Sequence, residues 1–275
     1  MNFQISVNKF AETAVAKRGH LMRDPLGFFA LSMMAGAYVG LGILLIFSVG
    51  QGVDASIRPI VMGASFGLAL LLVVFAGAEL FTGHTMYMTF GVLTNRTTWG
   101  DLAYSWCASW IGNLCGATLL AMLFVGGGGG LILSGDQSVL LSVADKKMNA
   151  AWDELILKGV LCNWLVCLAL WSSARIENEM ARVAMIWFCL YAFIAAGFEH
   201  SVANMTVFSV ALLSEHSASI SVSGALWNLT FVTIGNALAG AVMMGLGYWI
   251  AAGRHRHRVW LPVRSCGLRG CPDGT

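Results

Sequence analysis

Six long apolar segments dominate the pattern of this 275-residue chain, and two of them each contain a single carboxylate. Glu79 is the only charged residue in segment 60–95, and Glu199 is the only one in segment 183–214. A helix of about 20 apolar residues crosses a bilayer. The spacing of charged and turn residues therefore predicts six spans, at 26–49, 58–92, 99–125, 154–174, 182–212 and 222–251.

Both carboxylates lie among small and polar residues that suit a broken helix better than a continuous one. The two strings read AELFTGHT from Ala78 and GFEHSVAN from Gly197. An ionisable group at membrane depth costs roughly 2.5–3.5 kcal/mol and usually faces a pore or a partner. We therefore expect interruptions near 79–84 in the second span and near 197–204 in the fifth, as in transport proteins.

Composition also indicates an integral membrane protein. The chain is 57% hydrophobic and 11% charged, its mean hydropathy is +0.73, and soluble domains carry about 25% charged residues. Residues 1–25 have no apolar run and predict an amphipathic cytoplasmic segment at the membrane surface instead of a cleavable signal peptide. Residues 26–252 form the predicted channel domain. Residues 253–275 form a basic cytoplasmic tail, either native or vector-derived.

Lysine and arginine are distributed unequally between the two predicted sides. Six spans place both termini on one side, together with the 93–99 and 175–182 loops. That side carries Lys9, Lys17, Arg18, Arg23, Arg96, Arg175, Arg182, Arg254, Arg256, Arg258, Arg264 and Arg269, against Arg58, Lys146 and Lys147 on the other. The positive-inside rule then places both termini in the cytoplasm.

A short internal similarity relates the two halves of the chain. GNLCGA, from Gly112 in span three, resembles GNALAGA, from Gly235 in span six. Halves of three spans each run in opposite directions, because three is odd. The prediction is an all-α integral membrane protein of six transmembrane helices, built as a 3+3 inverted repeat. Its interrupted helices 2 and 5 meet at a cavity near the midplane.

Three strings resemble the formate/nitrite transporter family, and more closely its nitrite channel branch. They are ELFTGHT from Glu79, KGVLCNW from Lys158 and GFEHSVANM from Gly197. The similarity covers about residues 25–250. It implies an aquaporin-like fold, one pore per protomer and a homo-pentamer in the bacterial inner membrane. It implies transport, not enzyme activity; the expected partners are nitrite or similar small anions, protons and lipid. No cofactor, metal or nucleic acid is expected.

The resemblance also implies which residues line the pore. His200 matches the central pore histidine, and Glu199 and Asn204 flank it. Thr82 matches the threonine of the loop that interrupts span two, and Asn163 matches a polar position opposite the histidine. Apolar positions that form narrow rings on either side of the histidine are matched by Phe66, Leu70, Leu80, Val166 and Phe193.

The choice of nitrite depends on the first break. After the shared threonine, Thr82, this chain has Gly83 and His84, where formate-type members have a serine and a threonine. Lys158 is also similar to the nitrite branch. We expect nitrite as the main substrate, with formate also permeant, and His200 coupling permeation to protonation. His84 either caps the broken helix or contacts substrate, and Lys158 either attracts anions or snorkels to the interface. The preferred role of Glu79 and Glu199 is to accept hydrogen bonds from freed backbone N–H groups, and direct proton transfer is the alternative.

Other classes of function stay open at this point. A formate channel is one alternative. A pore for water or ammonia is another, since narrow apolar rings favour uncharged species. A membrane haem protein would need His84 and His200 as axial ligands, and the spans contain no second histidine pair. An intramembrane hydrolase is least favoured, because no serine or cysteine lies in a recognised nucleophile motif.

Overall fold

The structure, a computed structural model, describes residues 3–134 and 138–253 and is helical throughout that part of the chain. We number the helices in chain order and name two π-helical segments π1 and π2. They are α1 Phe3–Arg23, α2 Pro25–Gly50, α3 Arg58–Ser65, α4 Leu68–Leu72, π1 Val73–Gly77, α5 Phe81–Leu93, α6 Trp99–Gly126, α7 Gly130–Leu133, α8 Val139–Met148, α9 Trp152–Ser173, α10 Glu179–Ala195, α11 Ser201–Leu213, α12 Val222–Leu238, π2 Ala239–Leu246 and α13 Gly247–Ala251.

Several helices are long and apolar enough to cross a membrane. In the described residues these are Pro25–Gly50, Arg58–Gly77, Trp99–Gly126, Trp152–Ser173 and Val222–Ala251. They correspond to five of the six predicted spans. The remaining predicted span, 182–212, is divided between α10 and the shorter apolar helix α11. All of the predicted tail except Gly253 lies outside the described residues.

Local sequence explains where the helices begin and end. The Asp24 carboxylate accepts from the backbone N–H of Gly27 at 2.9 Å, and Pro25 occupies the first turn of α2. Thr98 and Asp101 form a reciprocal capping box at the start of α6. This helix ends at Gly126, where a run of glycines with positive φ follows.

The two breaks are shorter than predicted and lie at the beginning of the predicted intervals. Gly77 has φ +79°, the next three residues leave the helix, and α5 begins at Phe81. Gly197 has φ +70°, and α11 begins at Ser201. The predicted intervals 79–84 and 197–204 were therefore wrong at their ends. Thr82 lies in the first turn of α5 instead of in a loop, because only the glycines require left-handed backbone.

Helix α1 is amphipathic as predicted, but its apolar face packs on the protein. The Phe10 ring stacks on Tyr87, Phe90 and Trp171 at centroid distances of 5.5, 5.9 and 5.2 Å. Val7 and Phe10 are buried. The prediction of a membrane-surface position for this face was wrong, because amphipathicity alone does not identify the apolar partner.

Contacts bring the N-terminus, two loops and the end of α13 to one face of the molecule. Arg96 pairs with Glu12 at 3.3 Å, and Arg175 Nη1 donates to Ser6 Oγ at 2.6 Å. The Phe3 ring lies 5.7 Å from that of Tyr248. These are the segments that the charge distribution grouped together.

Two helix pairs approach closely through glycine, in equivalent places of the two halves. A Cβ added at Gly112 of α6, the equivalent of Gly235, would lie 2.4 Å from the Ser32 Cβ of α2, and one at Gly116 would lie 1.8 Å from the Met33 carbonyl oxygen. A Cβ at Gly235 of α12 would lie 2.3 Å from the Ile156 carbonyl oxygen of α9. Such close packing of backbones is typical of membrane helices. This close approach brings Asn113, which follows Gly112, and Asn236, which follows Gly235, within hydrogen-bonding distance of the two helix breaks.

Candidate pore between the helix breaks

Asn113 holds the first break. Its Nδ2 donates to the carbonyl oxygens of Ser32 and Glu79, at 2.7 and 2.9 Å, and its Oδ1 accepts from the Phe81 N–H at 2.9 Å. One buried amide thus satisfies backbone groups that the interruption of the helix leaves unpaired. It also links α2, α6 and the start of α5.

Asn236 holds the second break in the same way. Its Nδ2 donates to the carbonyl oxygens of Gly159 and Glu199, at 2.8 and 3.1 Å, and its Oδ1 accepts from the Ser201 N–H at 2.9 Å. These two asparagines are the shared residues of the GNLCGA and GNALAGA strings. The internal similarity therefore has a structural cause, which is the closure of two equivalent breaks.

The carboxylates do not perform the role that the sequence analysis preferred. Glu79 pairs with Lys17 of α1 and with His84 Nε2, the latter at 2.7 Å. Glu199 pairs with Lys147 of α8 at 2.7 Å and accepts from Asn204 Nδ2 at 2.6 Å. Since asparagine side chains cap the freed backbone, each carboxylate instead balances a lysine ammonium in a partly buried ion pair.

Two cavities lie on opposite sides of the breaks. The α1-side cavity, of about 430 Å³, is lined by Lys9, Lys17, Arg182, Glu79 and side chains that include Leu70 and Leu80. The α8-side cavity, of about 410 Å³, is lined by residues that include Arg58, Lys147, Phe193, His200 and Asn204. Each cavity therefore combines an apolar wall with a lysine. The lysine can attract an anion into the cavity, and the apolar wall can then exclude the water that hydrates the anion.

Thr82 and His200 meet between the cavities. The Thr82 Oγ1 atom lies 3.2 Å from His200 Nε2, and both side chains are buried. The Nδ1 atom of His200 accepts a hydrogen bond from the Ala203 N–H at 3.1 Å, so this nitrogen carries no proton. In the neutral ring the proton is then on Nε2, facing Thr82. An anion that moves between the cavities meets an N–H donor there.

The predicted apolar positions surround this contact. Leu70 and Leu80 line the α1-side cavity, and Phe193 lines the α8-side cavity, where its ring stacks on His200 at 5.9 Å. Phe66 packs edge-on against Phe193 at 5.4 Å, and Val166 is buried. Their role as narrow rings stays a prediction.

Asn163 and Lys158 are among the predicted site residues that line neither cavity. Asn163 Nδ2 donates to the Asn236 carbonyl oxygen at 2.6 Å and to Thr85 Oγ1 at 3.0 Å, so it braces α9 against α5 and α12. Lys158 pairs with Glu154 at 2.5 Å on the surface of α9. An anion-attracting role of Lys158 stays a prediction, and these contacts favour an interfacial position.

Sequence reasoning missed the two cavity-lining lysines that pair with the buried carboxylates. Lys17 and Lys147 lie outside the apolar spans and entered the analysis only as charges for the orientation. A buried carboxylate does require a cation or a proton. That requirement was the one sequence signal that a basic partner exists for each glutamate. The sequence offered several lysines and arginines for that role and no reason to choose between them. Among the described residues, no group of three or more His, Cys, Asp or Glu side chains could hold a metal ion.

Comparison with known proteins finds relatives that match most of this chain. The sequence profile described as "Formate/nitrite transporter" matches residues 5–250. The chain is 51% identical over 249 residues to "Nitrite transporter NirC" of Escherichia coli (strain K12), across 90% of this chain and 92% of that protein. It is 30% identical over 249 residues to "Formate channel FocA" of the same strain, across 83% and 87%.

Two solved structures share the fold. One, described as "FNT family ion channel", superposes with a TM-score of 0.88 at 49% identity, covering 90% of this chain and 99% of that one. The other, "Pentameric formate channel with formate bound", superposes with a TM-score of 0.67 at 25% identity, covering 82% and 96%.

Proposed function

The chain belongs to the formate/nitrite transporter family, and on that premise we propose that it carries nitrite across the membrane past His200. The observation that carries this proposal is the position of His200 Nε2, 3.2 Å from Thr82 between two lysine-bearing cavities. Half of the residues are identical to those of a nitrite transporter. Formate and related small monovalent anions are secondary substrates, because near-isosteres differ little in their contacts with such a site.

The cavities suit the two stages of anion entry. The ammonium groups of Lys17 and Lys147 raise the local concentration of anions at the two mouths. Apolar walls then make further movement of a bare anion expensive. Nitrite is the conjugate base of a weak acid, so a proton removes most of that cost. His200 donates a hydrogen bond from Nε2–H to the anion that displaces Thr82. As that proton passes to the anion, the ring takes up a replacement proton from the water of the α8-side cavity and so returns to its neutral form.

We propose a pentamer of six-span protomers in the bacterial inner membrane, with both termini in the cytoplasm. The equivalent bonds of Asn113 and Asn236 support a 3+3 inverted repeat with an aquaporin-like course. The solved formate channel of similar fold is pentameric. The excess of Lys and Arg on the terminal face supports the orientation.

A formate channel is the second candidate, supported by the identity to a protein of that name. Initial rates in proteoliposomes for nitrite, formate, glycerol and methylammonium separate the candidates. We expect nitrite to be fastest, formate measurable, and the two uncharged or cationic probes no faster than through protein-free liposomes. Rapid formate movement with undetectable nitrite movement would reverse the assignment. Rapid glycerol movement would favour a pore for neutral solutes.

A further inference from the structure

The two lysine–glutamate pairs belong to clusters of the same plan that differ in one informative residue. Each cluster has a lysine, a glutamate at the break, a side chain five positions after that glutamate, and a residue eight positions before the break-holding asparagine. The first cluster is Lys17, Glu79, His84 and Ser105, and the second is Lys147, Glu199, Asn204 and Asn228. The first cluster therefore has an imidazole where the second has an amide.

His84 is enclosed and hydrogen-bonded at both ring nitrogens. Its side chain is 0% exposed, Nε2 lies 2.7 Å from Glu79 Oε2, and Nδ1 lies 2.7 Å from Ser105 Oγ. The ring does not line the α1-side cavity, whereas Lys17 and Glu79 do. His84 thus reaches the cavity only through the carboxylate that it shares with Lys17.

Asn204 occupies the equivalent position with fixed hydrogen-bonding roles. Its Nδ2 donates to Glu199 Oε2 at 2.6 Å and to Asn228 Oδ1 at 2.9 Å. An amide takes up no proton at physiological pH. The second cluster therefore keeps its charge over the whole range in which a histidine titrates.

We propose that His84 is a positioning residue that makes anion admission through the α1-side cavity sensitive to pH, while the α8-side cavity lacks this sensitivity. The inference rests on the proposed anion transport. It concerns which mouth responds to pH and is separate from the proton donated by His200.

The hydrogen bonds of His84 suit both protonation states without movement of heavy atoms. In the neutral ring Nε2–H donates to Glu79, and the Ser105 hydroxyl donates to Nδ1. In the protonated ring both nitrogens donate, and Ser105 Oγ becomes the acceptor. The cluster then gains one positive charge. The imidazolium and Lys17 also compete for the same Glu79 oxygen, so the ammonium group becomes available to an anion in the cavity.

Other ionisable groups approach this cluster or its cavity. Lys9 and Arg182 also line the α1-side cavity, where Lys9 Nζ donates to the Ala174 carbonyl oxygen at 3.3 Å and the Arg182 guanidinium lies 5.9 Å from the Phe75 ring centroid. His20 Nδ1 lies 4.0 Å from Glu79 Oε1, and the Tyr87 ring lies 6.3 Å from that of His84. Asp101, one turn before Ser105 on α6, is held by Arg18 at 2.7 Å. No ion pair from α9 or α12 reaches Glu79 or His84 in the described part of the chain. His84 is the group whose protonation changes the Lys17–Glu79 pair most directly.

The test is His84→Asn, which gives the first cluster the amide of the second. Nitrite flux is measured in right-side-out and inverted membrane vesicles, at low nitrite, with the pH of one face stepped from 8 to 6. The wild-type rate is divided by the variant rate at each pH. This ratio removes the change in the fraction of nitrite present as neutral acid, because that fraction is the same for both proteins. We expect this ratio to rise at least about threefold on the α1 face, as for one titrating histidine, and to stay flat on the α8 face.

His216→Asn is the matched control, because His216 is an exposed loop residue whose Nδ1 contacts the Ser217 carbonyl; its ratio stays flat on both faces. A flat ratio for His84→Asn on both faces, or an equal rise on both, overturns the inference. If His84→Asn does not fold, Ser105→Ala keeps the imidazole and removes the acceptor for its second N–H. In Ser105→Ala, the increase in nitrite flux on acidification of the α1 face should then occur at lower pH than in wild type. A flux–pH profile identical to that of wild type overturns the inference. Wild-type protein without nitrite flux would instead overturn the proposed function.

Discussion

Replacement of His200 by phenylalanine tests the central contact of the proposed pore. The change keeps a planar ring against Phe193, whose centroid lies 5.9 Å away, and removes both nitrogens. The lost Nδ1 acceptor caps the Ala203 N–H, and loss of such a cap costs about 1 kcal/mol of stability. The protein should therefore still fold, with a slightly lower thermal unfolding temperature.

The effect on transport should be larger than the effect on stability. A hydrogen bond to a charged acceptor contributes about 1.5–3 kcal/mol. Since about 1.4 kcal/mol is a factor of ten, loss of the Nε2–H donor should slow nitrite movement roughly 10- to 100-fold. It should also remove the increase in rate at acidic pH that the supply of protons through His200 provides. His200→Asn retains an N–H donor and an N-cap acceptor, so it should keep part of the flux while losing the pH response.

The assay is nitrite flux into proteoliposomes between pH 5.5 and 8 for wild type and both variants. Gel filtration and thermal unfolding verify that each variant is folded. His216→Asn provides a histidine-to-amide control at an exposed residue that lines neither the α1-side nor the α8-side cavity. Equal rates and identical pH profiles for all of these proteins would refute the reasoning and remove His200 from the mechanism.

Three further predictions concern the supports of the site. Asn236→Ala leaves the buried groups of the second break unsatisfied and should lower stability by about 3 kcal/mol, measured by thermal unfolding in detergent. Lys147→Ala leaves Glu199 without its cation and should cost about 3 kcal/mol, whereas adding Glu199→Gln should restore most of it; no restoration would argue against the ion pair. Gly116→Val should prevent the close contact of α2 with α6 and abolish folded protein, while Gly126→Ala, with open space around its Cβ position, should be tolerated; equal yields would contradict the packing.

Much of the fold followed from short-range signals in the sequence. Glu79 and Glu199 marked both interrupted helices. An isolated carboxylate in an apolar segment is costly, so it indicates a nearby partner, cavity or helix break. Gly126 and the following glycines marked the end of α6. The ends of the breaks could not be obtained this way, because Thr82 and its neighbours fit a first helical turn as well as a loop.

The parts of the site that depend on tertiary structure were not predictable from one sequence. Lys17 reaches Glu79 across 62 residues and Lys147 reaches Glu199 across 52. No local pattern selects these lysines from the other cations. The same limit applies to α1, whose apolar face predicts burial but does not say whether Phe10 meets lipid or protein.

Simultaneous recording of nitrite influx and internal pH in proteoliposomes tests the central claim most directly. Purified wild-type protein is reconstituted, nitrite is added outside, and the rates are compared with those of protein-free liposomes and of His200→Phe. We expect wild-type protein to carry nitrite with internal acidification, and His200→Phe to be slower in both readouts. Nitrite influx no faster than in protein-free liposomes would contradict nitrite transport. Equal nitrite and proton movement in wild type and His200→Phe would contradict the role of His200.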